Sequence, residues 1–237
     1  MIYDDTHLFI ALPSCASSFT QIFLTEGDGG WVWDSHSPLW SWGHKPYAVA
    51  DSSIRQGREP FAAIRHPLKF YRSMYRYPRR WEETSWSGIN EWAQLFLDGK
   101  PHLHYNLFQK MDLNLFGLLA QWDIGILTFN YLFQCAKSPR LFVAGKQAPG
   151  DVELAPKESS FLKVETIKED LIRHLGLREE ERKRLISSPP KNQSTEIPEP
   201  FTRETAELIL HKERLICSRY GYDLGGLSSE IIEQPID

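Results

Sequence analysis

The sequence predicts an α/β domain with a mostly parallel central sheet flanked by helices. Short apolar runs rich in strand formers (HLFIAL at 7–12, FAAI at 61–64, FLKV at 161–164) are each followed by a segment of helical pattern. The runs are apolar throughout rather than alternating, as strands buried on both faces are. Strands that alternate with helices pair in parallel and are covered by those helices.

Size and charge bound the reading. A chain of 237 residues with 41% hydrophobic residues is long enough to bury a core without disulfides or metals, and residues 1–237 are expected to form a single domain. The net charge of −4 gives no global field directed at nucleic acid, so any basic surface must be local. The three cysteines, Cys15, Cys135 and Cys217, are widely spaced and form no paired motif. That fits a reducing compartment and argues against a zinc site or a disulfide framework. The opening MIYDDTHLFIALP has no basic segment of the secretory type. The longest apolar stretch, 113–133, contains Asn114, Gln121, Asp123 and Asn130, which suits a buried helix rather than a membrane span. A cytoplasmic protein is expected.

Each element follows from local signals. Pro13 ends the first strand, and FTQIFL after the small residues SCASS begins a helix. A turn at 27–30 leads into WVWDSHSPLWSWGHKPY, read as a short strand and a loop broken by Pro38 and Pro46. Pro67 marks the first turn of the helix after FAAI. From 88 to 135 the pattern is helical, with Trp92, Leu95 and Phe96 on one face and then a second helical run LFGLLAQW, and 139–156 reads as a flexible loop. ETIKEDLIRHLG is an amphipathic helix closed by Gly176. The polar, proline-rich stretch SSPPKNQSTEIPEPF precedes a final helix from about Thr202 to Arg219 that carries Ala206, Ile209 and Leu210 on one face, and the tail after Tyr222 is expected to fray.

Four segments carry chemistry. In LPSCASSF, 12–19, small residues let the backbone approach a phosphate, the hydroxyls of Ser17 and Ser18 add donors, and the strand–loop–helix context aims amides at an anion. Tight packing is the plain alternative for such a turn. In AIRHPLKFYRSMY, 63–75, Arg65 at a strand end stands eight residues before Ser73 on a helix, a spacing at which guanidinium and hydroxyl can converge on one phosphate. In WGHKPYAV, 42–49, His44 is a candidate general base, with His36 in reserve. The fourth is FLKVETIKEDL, then KNQS, then a helix ending SRYGYD. Glu165 has no assigned role. Trp31, Trp33, Trp40 and Trp42 are read as packing or as a stacking platform for an acceptor. The basic run RYPRRW, 76–81, is read as solvated surface, or as favouring an anionic acceptor if it lines a cleft. Cys15, at a helix start, is an outside candidate for a nucleophile.

In this order, and spanning about 7 to 223, the four segments resemble the sulfotransferases that use 3′-phosphoadenosine 5′-phosphosulfate (PAPS), particularly the carbohydrate branch that includes heparan sulfate 2-O-sulfotransferase. The resemblance implies a P-loop-like three-layer sandwich and PAPS as co-substrate, with no metal. The partners it implies are PAPS, its product PAP (3′-phosphoadenosine 5′-phosphate), and an acceptor hydroxyl, with a carbohydrate as one candidate. Pro13, Ser14, Cys15, Ala16, Ser17, Ser18 and Phe19 would then hold the 5′ end of the donor, Arg65 and Ser73 its 3′-phosphate, and Lys191, Asn192 and Ser194 its nucleotide. His44 would take the acceptor's proton. One departure matters, because Ser14 stands where the family has a lysine that stabilises the breaking bond. Lys45 and Lys191 are the candidates to replace that charge. The alternative is a weakened sulfotransferase-fold protein that binds a nucleotide or a sugar. An ATP-dependent P-loop kinase is disfavoured, since the loop has no Gly-x-x-x-x-Gly-Lys-Ser/Thr pattern.

Overall fold

A computed structural model describes residues 1–27, 30–34, 44–76, 88–98, 115–189, 199–225 and 227–233. The chain divides into two compact units. The first comprises 1–65, 130–147 and 151–193, and the second 66–129, 148–150 and 194–237.

The first unit holds the sheet. Its strands are β1 (Ile2–Tyr3), β2 (His7–Ile10), β3 (Val32–Trp33), β4 (Glu59–Ile64) and β5 (Phe161–Lys163), in the spatial order β3-β1-β2-β4-β5. β2, β4 and β5 are parallel, with Ile10 beside Ala62 and Ala63 beside Leu162. Leu8, Phe9, Ile10 and 61–64 are fully buried, which explains their unbroken apolar pattern. The sheet is mixed rather than mostly parallel, because β1 runs antiparallel to both β2 and β3. The β1–β2 turn is closed by Asp4, whose Oδ1 accepts from the backbone N–H of Thr6 (2.7 Å) and His7 (2.6 Å).

The helices of this unit are α1 (Ser17–Thr25), α2 (Ser52–Arg55), α7 (Arg140–Val143), α8 (Ile167–Leu175) and α9 (Glu179–Ser187), with the greater part of α6 (Ile126–Cys135). Segment 139–156, expected as a loop, carries α7, a 3-10 turn at Pro149–Asp151 and an antiparallel bridge between Ala136 and Leu154. α8 packs on β5 and ends at Gly176, which takes a left-handed φ of 60°. Gly176→Ala forces a side chain into that conformation and is expected to cost about 1 kcal/mol. The melting temperature then falls by roughly 2–4 °C; an unchanged melting curve would remove this role for Gly176. α9 has a charged surface and buries Leu185. Its Arg184 donates to the carbonyl of Phe23 (3.1 Å) and lies over the Phe23 ring, pinning the C-terminal end of α1.

The second unit is helical: α3 (Pro67–Arg76), α4 (Ile89–Leu97), α5 (Leu115–Trp122), the first turn of α6, α10 (Arg203–Lys212) and α11 (Arg214–Tyr220). Phe70, Tyr71, Trp92, Phe129, Phe201, Ile209 and Ile216 form its core, while the side chains of Leu95 and Phe96 lie outside the described residues. On the closing helix Ala206 and Ile209 are buried and Leu210 is half-buried. Two expected continuous helices are interrupted. The apolar stretch breaks between α5 and α6, where Asp123 has a φ of 49°, and the closing helix breaks at Glu213.

Both breaks serve one buried carboxylate. Glu213 Oε1 accepts from Tyr71 Oη (2.9 Å) and Leu127 N (3.0 Å), and its Oε2 from Thr128 N (2.7 Å) and Oγ1 (2.6 Å). Glu213 thus caps α6 from elsewhere in the chain. Gly125 leaves room for it, since a Cβ there would lie 2.0 Å from Glu213 Oε1. Part of the tail expected to fray after Tyr222 is anchored, at residues 231–232. Ile231 and Ile232 are buried, and Phe201 N donates to Ile231 O at 2.9 Å. Among the described residues no helix is long and apolar enough to cross a membrane.

Candidate functional site

The parallel strands β2 and β4 end on the same side of the sheet, and the site is built there. β2 is followed by Ala11 and Leu12, both buried, and then by a turn closed by Cys15 N donating to Leu12 O (3.3 Å). Ser14 (φ 56°) and Ala16 (φ 54°) are left-handed although neither is glycine. Each such residue costs roughly 1–2 kcal/mol. Left-handed residues near a helix start turn successive amides inward to form an anion-binding concavity. The first bond of α1 runs from Thr20 N to Ala16 O (3.0 Å). The amides of Ser14, Ala16, Ser17 and Ser18 meet no acceptor among the described residues. Pro13, Ser14, Ala16 and Ser18 are half-buried, whereas Ser17 and Phe19 are buried.

Cys15 is fully buried, as is Cys135. Burial, with Cys15 nearby, pushes the Cys135 thiol well above its usual range. A buried Cys15 lacks the access that a nucleophile needs, so its part in the loop is played by its backbone.

His44 belongs to the same place. Its Nδ1–H donates to the carbonyl of Ala11 at 2.7 Å, which leaves Nε2 as the acceptor nitrogen. Burial pulls the His44 pKa below its ordinary 6.5, with the Ala11 carbonyl opposing. The imidazole is therefore neutral near pH 7, the form that a general base requires.

Arg65 follows β4 directly. Its Nη1 donates to the carbonyl of Ser14 at 3.1 Å, so a guanidinium lies against the turn itself. Lys45 is committed elsewhere: it is buried, and its Nζ contacts Asp34 Oδ2 at 2.7 Å. The turn of 12–19, His44 and Arg65 are thus brought together. Ser73 is half-buried on α3 in the second unit. Trp31 stacks on the His7 ring (6.3 Å between centroids) and Trp33 is exposed on β3. Glu165 is exposed in the turn before α8. His36, Trp40, Trp42, 77–81, Lys191, Asn192 and Ser194 lie outside the described residues.

Two participants had no local signal. Ala11 contributes a carbonyl, which any residue has. Asp34 is recognisable only through Lys45. In the second unit, His66 is buried and donates from Nε2 to Asp223 O (2.8 Å), tying the run at 220–223 to the start of α3.

The fold and site define an α/β protein with a mixed sheet and an amide-lined turn that carries one imidazole and one guanidinium. Comparison of the chain with protein-family models, curated proteins and solved structures finds no match.

Proposed function

We propose that the protein is a sulfotransferase of the P-loop-like three-layer type, moving a sulfuryl group from PAPS to an acceptor hydroxyl, with a carbohydrate as one candidate acceptor. The observation that carries this reading is the meeting of the 12–19 turn, His44 and Arg65 at one end of the sheet. These are the segments on which the resemblance rests. The amides of Ser14, Ala16, Ser17 and Ser18 and the hydroxyls of Ser17 and Ser18 receive the 5′ end of the donor, and Arg65 binds one of its phosphates. The resemblance further assigns Ser73, Lys191, Asn192 and Ser194 to binding the donor. In the transfer, the acceptor oxygen forms a bond to sulfur while its proton passes to His44 Nε2. The bond from sulfur to the bridging oxygen breaks, and PAP leaves with the electron pair. On this reading the Ser14 hydroxyl donates to that bridging oxygen. Positioning and charge supply most of the rate.

A second reading, a binding module without transfer, is favoured by Ser14 in place of a lysine and by the commitment of Lys45 to Asp34. Calorimetric titration with PAP tests both readings. The wild type is expected to bind PAP and to bind ATP more weakly, and Arg65→Ala to lose about tenfold in PAP affinity, or about 1.4 kcal/mol. No binding of PAP by the wild type would sink the sulfotransferase reading. Binding of PAP without turnover of PAPS on any hydroxyl acceptor tried would leave the module.

A further inference from the structure

We infer that Arg65 is the cation of the phosphosulfate turn, standing in for the charge missing at Ser14, rather than a group reserved for the donor's 3′-phosphate. The inference rests on the donor reading above and refines it.

The parallel register of β2 and β4, with Ile10 beside Ala62, delivers the turn and Arg65 to the same end of the sheet. Arg65 Nη1 then reaches the Ser14 carbonyl at 3.1 Å, across 51 residues of sequence. The contact falls on the very residue whose side chain lacks a charge. A guanidinium carries five N–H donors and stays charged at any working pH. Contact with the Ser14 carbonyl is therefore compatible with further bonds to phosphate oxygens.

Among the described residues, Lys45 and Lys168 are engaged elsewhere. Lys45 Nζ is bound to Asp34 Oδ2 at 2.7 Å, and Lys168 Nζ to the carbonyls of Ile186 and Ser188, each at 2.8 Å. His44, held on Ala11 at the base of the same turn, is neutral near pH 7 for the reason given above. The arginine consequently supplies the positive charge where the donor's 5′ end sits, and its energetic effect does not depend on a 3′-phosphate.

The distinguishing experiment titrates wild type, Arg65→Ala and Arg65→Lys with two probes, adenosine 3′,5′-bisphosphate and adenosine 5′-monophosphate. The wild type is expected to bind both, and Arg65→Ala to weaken both by a similar factor of about tenfold or more. Arg65→Lys, which keeps the charge, retains most of the affinity for both. Should Arg65→Ala fail to melt cooperatively, Arg65→Gln takes its place in the comparison. Loss confined to the bisphosphate, with the monophosphate unaffected, overturns the inference and leaves the donor reading standing. A wild type that takes the bisphosphate but not the monophosphate overturns it likewise. A wild type that binds neither probe removes the donor reading and the inference with it.

Discussion

Glu213→Ala is expected to destabilise the protein by about 3–5 kcal/mol, because it leaves buried donors without an acceptor. At roughly 2–4 °C per kcal/mol for a chain of this size, the melting temperature falls by on the order of 10 °C. The donors are specific: Leu127 N, Thr128 N and Oγ1, and Tyr71 Oη all point at a carboxylate with no solvent exposure. Glu213→Gln keeps the shape but turns one acceptor into a donor facing N–H groups, so an intermediate loss is expected. Glu207→Ala, which breaks an exposed pair with Arg203 on α10, is the control and changes stability by less than about 1 kcal/mol. A loss for Glu213→Ala no larger than the control's would refute the capping role.

The same carboxylate gives stability a defined pH dependence. Burial pushes the Glu213 pKa above its ordinary 4.5, opposed by the hydrogen bonds from Thr128, Tyr71 and Leu127. Between 4.5 and the raised value, the folded state holds a proton that the unfolded state has released. This contribution is fully present below 4.5 and is lost as the pH rises through the folded value. The advantage of wild type over Glu213→Gln should therefore be largest at the acid end and shrink toward neutrality. Melting curves of the two proteins across that range measure it directly.

The second large effect concerns chemistry. On the proposed sulfotransferase reading, His44→Ala is expected to slow sulfuryl transfer by about 10²–10⁴-fold, the usual contribution of a positioned general base. PAP affinity should stay within a few-fold, since His44 bonds to Ala11 and is assigned to the acceptor's proton. A drop in affinity as large as the drop in rate would mean that His44 holds the turn in shape rather than moving a proton. The pH profile separates these roles further. Burial lowers the His44 pKa, so the base form persists below the ordinary value, and the acid limb of the wild-type rate has its midpoint below 6.5. That limb should vanish from the residual activity of His44→Ala.

The sequence by itself determined the elements whose signals are local. β2, β4 and β5 are apolar runs bounded by breakers, and α1, α3 and α8 begin or end at Ser17, Pro67 and Gly176, where caps and φ preferences act within one turn of chain. The candidate turn was legible for the same reason: residue type and short-range order carry it. β3 falls in the WVW stretch expected as a short strand, whereas β1, two residues long, offered no period to read, and its antiparallel pairing depends on which edge is open. α9 was illegible because its surface is charged and Leu185 is the buried residue of its span.

What only the tertiary structure decided are the bonds made across long separations. Glu213 lies 85 residues from Thr128, and that one carboxylate explains why two apparent helices break. His44 reaches Ala11 across 33 residues and Arg65 reaches Ser14 across 51, which turns separate motifs into one site. Asp34 takes Lys45 and so denies its charge to the turn. Local preference sets φ and ψ and the buried face of each segment. Which donor a buried acceptor finds depends on how the packed elements bring distant residues together, and an unpaired buried group costs too much to be left without one.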